Sequence, residues 1–184
     1  DAHVTTVLFN DQYKMLYNRR ELKDVRKMTD KDYTPGGMTA LLDAVGRTIH
    51  KMDMVSGIHR KDKGNKVLFV IITDGEENDS REYTYADVKK LIKDRQENAG
   101  WEFIFLGANI DAVAAAENLG IDRDRAVKYK NTGSGVRANF KAVAELSDSL
   151  AKSGRVSDEW KETVEKDEDD AADKQSAAVT LHRR

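Results

Sequence analysis

The sequence contains no cysteine and a single proline, Pro35, in 184 residues. Without cysteine there is no disulfide framework, no thiol nucleophile and no thiolate-bound zinc, and the setting expected is a reducing, cytoplasmic one. Long apolar runs are also missing. The longest, Val67 to Ile72, falls far short of the ~20 residues that span a bilayer, so no membrane partner is expected. Nor does either sign of charge dominate. Lys and Arg number 31 against 33 Asp and Glu, a formal net charge of -2. A nucleic-acid partner, which calls for a clustered basic face, is therefore not expected. What is present is a modest core and a heavily charged exterior: 39% of residues are hydrophobic and 35% charged, respectively below and above the globular norm. A chain this long buries roughly 70% of its unfolded surface and needs no covalent staples. It begins at Asp1 rather than Met and shows no signal-peptide pattern, so the expectation is a piece trimmed from a longer parent.

Hydrophobic periodicity predicts alternating strands and helices. His3 to Phe9 is β-branched and apolar, Asn10-Asp11 is a turn pair, and Tyr13, Met15 and Tyr17 alternate, which together predict a hairpin. Leu22, Val25 and Met28 are spaced for a short helix. Tyr33 to Gly37 is a turn cluster, and Thr39 is suited to cap a helix lined by Leu41, Leu42, Val45, Ile49 and Met52. Gly57 to Lys66, with Arg60, Lys61 and Lys63, reads as a basic connection. Val67 to Ile72 reads as a strand buried on both faces, as in parallel sheets. A helix carrying Tyr85, Val88, Leu91 and Ile92 follows, running to Ala99-Gly100. Next come a strand at Trp101 to Leu106, a helix at Ala112 to Leu119 closed by Gly120, and a weaker strand at Ala126 to Lys130. A turn at Gly133-Ser-Gly135 then leads to a helix lined by Phe140, Val143, Leu146 and Leu150. This alternation predicts a doubly wound α/β fold, a mainly parallel sheet with helices on both faces and one antiparallel edge hairpin strand. The domain is expected to occupy residues 1–154. Residues 155–184, acidic between Ser157 and Asp173 with only Trp160 and Val164 as large apolar residues, read as a solvated helix, a disordered tail or a docking tail for a basic partner.

Two segments could carry chemistry. In open parallel sheets ligands collect at the carboxyl ends of strands, where Thr73-Asp74-Gly75-Glu76-Glu77-Asn78 falls. A strand-end carboxylate followed by glycine suits a hard divalent cation, although Asp74 could equally cap the following turn. Thr34-Pro35-Gly36-Gly37-Met38-Thr39 offers a backbone open to close approach and a hydroxyl at a helix start, or simply a cap after a flexible loop. The order hairpin, Gly37-Met-Thr39 opening a helix, then a strand ending in Thr73-Asp74-Gly75, resembles the von Willebrand factor type A family over residues 3–150. The resemblance implies a metal ion-dependent adhesion site in which Thr39 and Asp74 are ligands to Mg²⁺ or Mn²⁺. It also implies a protein partner whose Asp or Glu carboxylate completes the coordination, and a non-enzymatic role, in a family found inside bacterial cells and on surfaces. Gly37, Glu76, Glu77 and Asn78 would form the partner-binding rim. The family's Asp-x-Ser-x-Ser loop does not occur in this sequence. By analogy its strand would lie between the hairpin and Val67–Ile72. Either the parent carries it upstream, or the site has decayed, or another segment such as Ala177 to His182 fills the gap.

Other constellations read more weakly. Gly133-Ser-Gly135-Val-Arg-Ala138 has dinucleotide-loop spacing, but no later βα unit supplies a ribose-binding acid. His3, His50, His59 and His182 are scattered without metal-ligand spacing. A Mg²⁺-dependent phosphohydrolase using Asp74 with Glu76 or Glu77, and a nucleotide-binding Rossmann relative, stand as alternatives to the binding module. No catalytic residue can be named for either.

Overall fold

The computed structural model describes residues 2–29, 31–34, 36–55, 66–157 and 159–166. The chain is a mixed α/β protein with a two-stranded antiparallel sheet and a three-stranded parallel sheet. It divides into two compact units, Asp1–Val55 with Glu76–Val88, and Ser56–Gly75 with Lys89–Arg184. Pro35, the connection over 57–65, His59, the acidic residues 158 and 167–173, and the segment 177–182 lie outside the described residues.

In the first unit, β1 (His3–Phe9) and β2 (Tyr13–Glu21) form the expected hairpin, pairing from His3 with Glu21 to Phe9 with Tyr13. The Asn10 side chain accepts from Gln12 N at 2.7 Å, closing the turn. It also donates to the carbonyl of Gly36 at 3.0 Å, while Asn10 O accepts from Ala40 N at 2.9 Å. The hairpin tip therefore pins the loop that leads into α1 (Leu41–Asp53). Gly37 stands in that loop at φ +89°, a left-handed conformation that strains any residue with a Cβ and favours glycine. The helix expected through Leu22, Val25 and Met28 is not there. Three residues, Leu22–Asp24, make a single 3₁₀ turn, and Leu22 and Met28 are exposed. With no face to bury, such a short stretch cannot offset the cost of nucleating a helix.

In the second unit, β3 (Leu68–Thr73), β4 (Glu102–Gly107) and β5 (Ala126–Lys128) pair in that order, all parallel. Helix α2 (Tyr85–Asp94) continues from the first unit into the second and widens into a π-turn, Arg95–Ala99. It ends, as the sequence predicts, at Gly100 in the left-handed conformation. Helix α3 (Ala112–Asn118) is capped by Asp111, and α4 (Gly133–Ser153) by Thr132, whose hydroxyl accepts from Gly135 N at 3.2 Å. The Gly133-Ser-Gly135 segment is thus the first turn of the helix rather than a separate turn.

One sheet face carries Ile104, Leu106 and Val127, which pack with Ala142 and Leu146 of α4 and with Val156, Trp160 and Val164. Residues 160–166 are helical. Trp160 and Val164, only 2% and 1% exposed, belong to this core, so that stretch is not wholly solvated. On the opposite face Phe69 stacks on Phe103 at 5.2 Å, and Gly107 lies where a Cβ would strike Ala112 of α3. Two expectations are corrected here. The inner face of α4 is Asn139, Ala142, Leu146 and Leu150, with Phe140 58% exposed. And β3, expected to be buried on both faces, is largely half-buried, whereas β4 is almost wholly buried. The reason is position: among the described residues β4 is flanked by strands on both sides and β3 on one. Among the described residues no helix is long and apolar enough to cross a membrane.

Candidate functional site

The best-built polar region of the first unit is a strap, residues 77–83, laid along α1. Glu77 sits at its start, and both carboxylate oxygens are used. They accept from Leu42 N (2.9 Å), Asp79 N (3.0 Å), Ser80 N (2.8 Å) and the Ser80 hydroxyl (2.7 Å). Ser80 Oγ in turn accepts from Asp43 N at 3.1 Å. A helix start leaves its first N–H groups without partners and favours negative charge. Here the strap supplies both an acceptor and a charge from more than thirty residues away in sequence.

Asp43, buried in the first turn of α1, answers from the other side. Its two oxygens accept the backbone N–H groups of Arg81 (3.0 Å), Glu82 (2.9 Å) and Tyr83 (3.0 Å). Burial alone would raise this carboxyl. The three N–H bonds, with Arg47 nearby, outweigh burial and hold its pKa below the ordinary carboxylate value. Arg47 clasps Glu82 through two bonds of 2.8 and 2.5 Å, which lowers the Glu82 pKa. Further along, His50 Nδ1 lies 2.8 Å from the Tyr83 hydroxyl and 3.1 Å from Gly46 O. Asp43, Arg47 and Glu82 border a polar cleft of about 270 Å³, which Tyr13, Arg81 and Asp79 also line. Its arginines are paired within it, Arg47 with Glu82 and Arg81 with Asp79 at 3.1 Å.

Thr39 stands beside the strap. Its N–H donates to Asn78 Oδ1 at 2.8 Å and its carbonyl accepts from Asn78 N (3.0 Å) and Asp79 N (3.3 Å). Thr39 does not cap α1, as the sequence predicts it should. Ala40 occupies the cap position without a side-chain bond. Because Glu77 and Ser80 satisfy Leu42 N and Asp43 N, capping by Thr39 is redundant, and among the described residues its hydroxyl has no hydrogen-bond partner.

Asp74 belongs to the second unit, one residue past β3 at the carboxyl end of the parallel sheet. It is exposed, and Asn131, in the loop between β5 and α4, donates to its Oδ2 at 3.2 Å. That loop is fixed from behind. A Cβ on Gly135 would fall 2.0 Å from the Lys130 carbonyl oxygen, so the start of α4 rests directly on the backbone that presents Asn131.

Of the sequence-derived site residues, Gly37, Thr39, Glu76, Glu77 and Asn78 fall in the first unit and Asp74 in the second. Thr39, Glu77 and Asn78 are joined by the strap. Glu76 and Asn78 are exposed, as is Gly37, whereas Glu77 is half-buried and engaged internally. Asp43 and Ser80 are not among the residues that the sequence motifs single out. A carboxylate at Asp43, among the apolar residues Leu42 and Val45 on a helix that is buried there, was the available signal for the first. Nothing local signals the second. Among the described residues no three His, Cys, Asp or Glu side chains are grouped to hold a metal ion by themselves. No protein-family model, curated protein or solved structure matches this chain.

Proposed function

We propose that the chain is a non-enzymatic binding module of von Willebrand factor A type on a doubly wound sheet, in which Thr39 and Asp74 help to hold Mg²⁺ or Mn²⁺ and a partner protein contributes an Asp or Glu carboxylate. The observation that carries this reading is the release of Thr39 from capping. A threonine at the mouth of a helix, held by its backbone to Asn78 while its hydroxyl has no hydrogen-bond partner among the described residues, is a neutral oxygen donor kept in reserve. Asp74 adds a second oxygen donor, exposed at a strand end and held on one side by a single amide. A hydroxyl and a carboxylate are the donor types that hard cations take, and with so few acidic groups the remaining coordination falls to water and to the partner. A bound cation would supply a Lewis-acidic centre able to take the partner carboxylate. The residues of this chain orient the donors: Asn78 fixes the Thr39 backbone, Asn131 turns Asp74, and exposed Gly37, Glu76 and Asn78 contact the partner surface. Glu77, its oxygens spent on the helix start, shapes the rim from within.

Calorimetric titration with Mg²⁺ and Mn²⁺ tests the reading, on this chain and on a form extended upstream into its parent. We expect saturable heat from at least the extended form, and Asp74→Ala should abolish it while circular dichroism and melting temperature stay unchanged. Cation binding that survives Asp74→Ala at undiminished affinity would sink the proposal.

A further inference from the structure

The polar cleft of the first unit holds more negative charge than its own cations use. Its walls are the hairpin tip, the first turns of α1 and the strap, all within that unit. A strand added to the free edge of β1 would lie on the side away from β2, whose first residue, Tyr13, forms one wall. Four carboxylates, of Asp11, Asp43, Asp79 and Glu82, face two guanidinium groups. Lys51, 4.5 Å from the centroid of the Tyr13 ring, lies outside the lining. Two of the acids are committed, Asp43 to three backbone N–H groups and Glu82 to Arg47 through two bonds. The other two are open to exchange. Asp11 is exposed and has no hydrogen bond or ion pair among the described residues. The Asp79 carboxylate, 21% exposed, meets one nitrogen of Arg81 at 3.1 Å, and that arginine side chain is 82% exposed. A single contact from an exposed arginine contributes little to stability.

We propose that the cleft binds the guanidinium of an arginine side chain on a partner protein, with Asp11 and Asp79 as acceptors and the side chain of Arg81 displaced into solvent. Size agrees with this. At about 270 Å³ the cleft lies just below the roughly 300–1,000 Å³ of small-molecule sites, so it suits one side chain better than a nucleotide. Chemistry selects the cation. Among the described residues the acids are not grouped to hold a metal ion, and Phe9, Ala40 and Ala44 give the cleft apolar walls. A guanidinium is less strongly hydrated than an ammonium and spreads its donors in a planar fork that can serve two carboxylates at once. Free arginine fits less well, because its α-carboxylate would enter a site already rich in negative charge. The cleft also opens where the partner is expected: a Cβ on Gly37 would lie 2.8 Å from Asp11 Oδ1, so this carboxylate stands beside the rim. No metal is needed for the arginine contact, which therefore stands or falls apart from the cation reading.

Heteronuclear NMR titration of the full chain in EDTA and low salt tests this, with N-acetyl-arginine amide as the probe. We expect saturable shifts at the backbone amides of Asp11, Gln12, Asp79 and Arg81 at millimolar concentration, weakening as salt is added. N-acetyl-citrulline amide, the same shape without the charge, should bind about tenfold more weakly. No shifts at these amides, or equal shifts from both probes, overturns the proposal. Free arginine binding more tightly than the blocked probe overturns the assignment to a partner's side chain. Asp11→Asn and Asp79→Asn should each weaken binding, and folded variants that bind as before sink the idea. Arg81→Ala removes the competitor for Asp79 and keeps the backbone N–H that Asp43 accepts. It should tighten binding roughly two- to fivefold, the strength of an exposed ion pair. Should Asp79→Asn fail to fold, this variant decides: unchanged or weaker binding by Arg81→Ala rules out Asp79 as the acceptor.

Discussion

Replacing Asp43 by alanine is expected to destabilise the protein by about 3 kcal/mol, because hydrogen bonds to a charged group contribute roughly 1.5–3 kcal/mol each and are not additive. Three backbone N–H groups, of Arg81, Glu82 and Tyr83, lose their acceptor at once. Solvent can replace part of the loss, since the strap is partly exposed, which is why the figure lies well below the sum. Urea denaturation at neutral pH measures it, and a change under about 1 kcal/mol would mean that the strap is not held through Asp43. The pH dependence has a definite sign. A carboxylate whose pKa is depressed by folding contributes stability that is fully present above its unfolded pKa, about 3.9, and is lost as pH falls through the lower folded value. The gap between the wild type and Asp43→Asn should therefore be widest near neutrality and close as the solution is acidified below that value.

A chain ended after Gly154 is expected to lose cooperative unfolding. The sequence suggests a boundary there, because composition turns acidic beyond it, yet Val156, Trp160 and Val164 are all buried and pack with Ala142, Leu146 and the sheet residues Ile104, Leu106 and Val127. Ending the chain at 154 strips one layer from that core and lays its apolar surface open to water. Trp160→Ala isolates the largest part of the effect. Large-to-small substitution of a buried tryptophan costs about 3–5 kcal/mol, a transfer loss plus a residual cavity. Calorimetry of both variants measures the outcome. If the shortened chain melts sharply at the wild-type temperature, the packing of 156–164 on α4 contributes nothing to stability.

Much of the architecture was legible because strand and helix patterns are local. The alternation along β1 and β2, the apolar runs of β3 and β4, and the closing glycines after α2 and α3 each declare themselves within a few residues. The errors share a different cause. Thr39 resembles a cap, but the acceptors that serve α1 come from Glu77 and Ser80, and no short window can reveal a competitor that far along the chain. The Leu22–Met28 spacing suits a helix, yet nothing packs on it tightly enough to bury Leu22 or Met28. Phe140 fits the helical period of α4 as well as Asn139 does, and tertiary packing chose the face that includes Asn139. For the candidate site, residue types were readable and their attachments were not. Asn131, which holds Asp74, stands 57 positions away.

The packing of Gly135 against Lys130 ties a residue with no polar side chain to the orientation of an acid. Any side chain at 135 must push the Lys130 carbonyl away, and Asn131, the next residue, moves with it. Asp74 then loses the amide that holds it. If the proposed site binds Mg²⁺, position 135 should behave like a ligand position in a saturation library sorted on that binding, tolerating glycine alone, although its side chain would reach neither the ion nor Asp74 itself. The mutational footprint of such a site is wider than its contact list, and its outlying member is set by how closely two stretches of backbone approach.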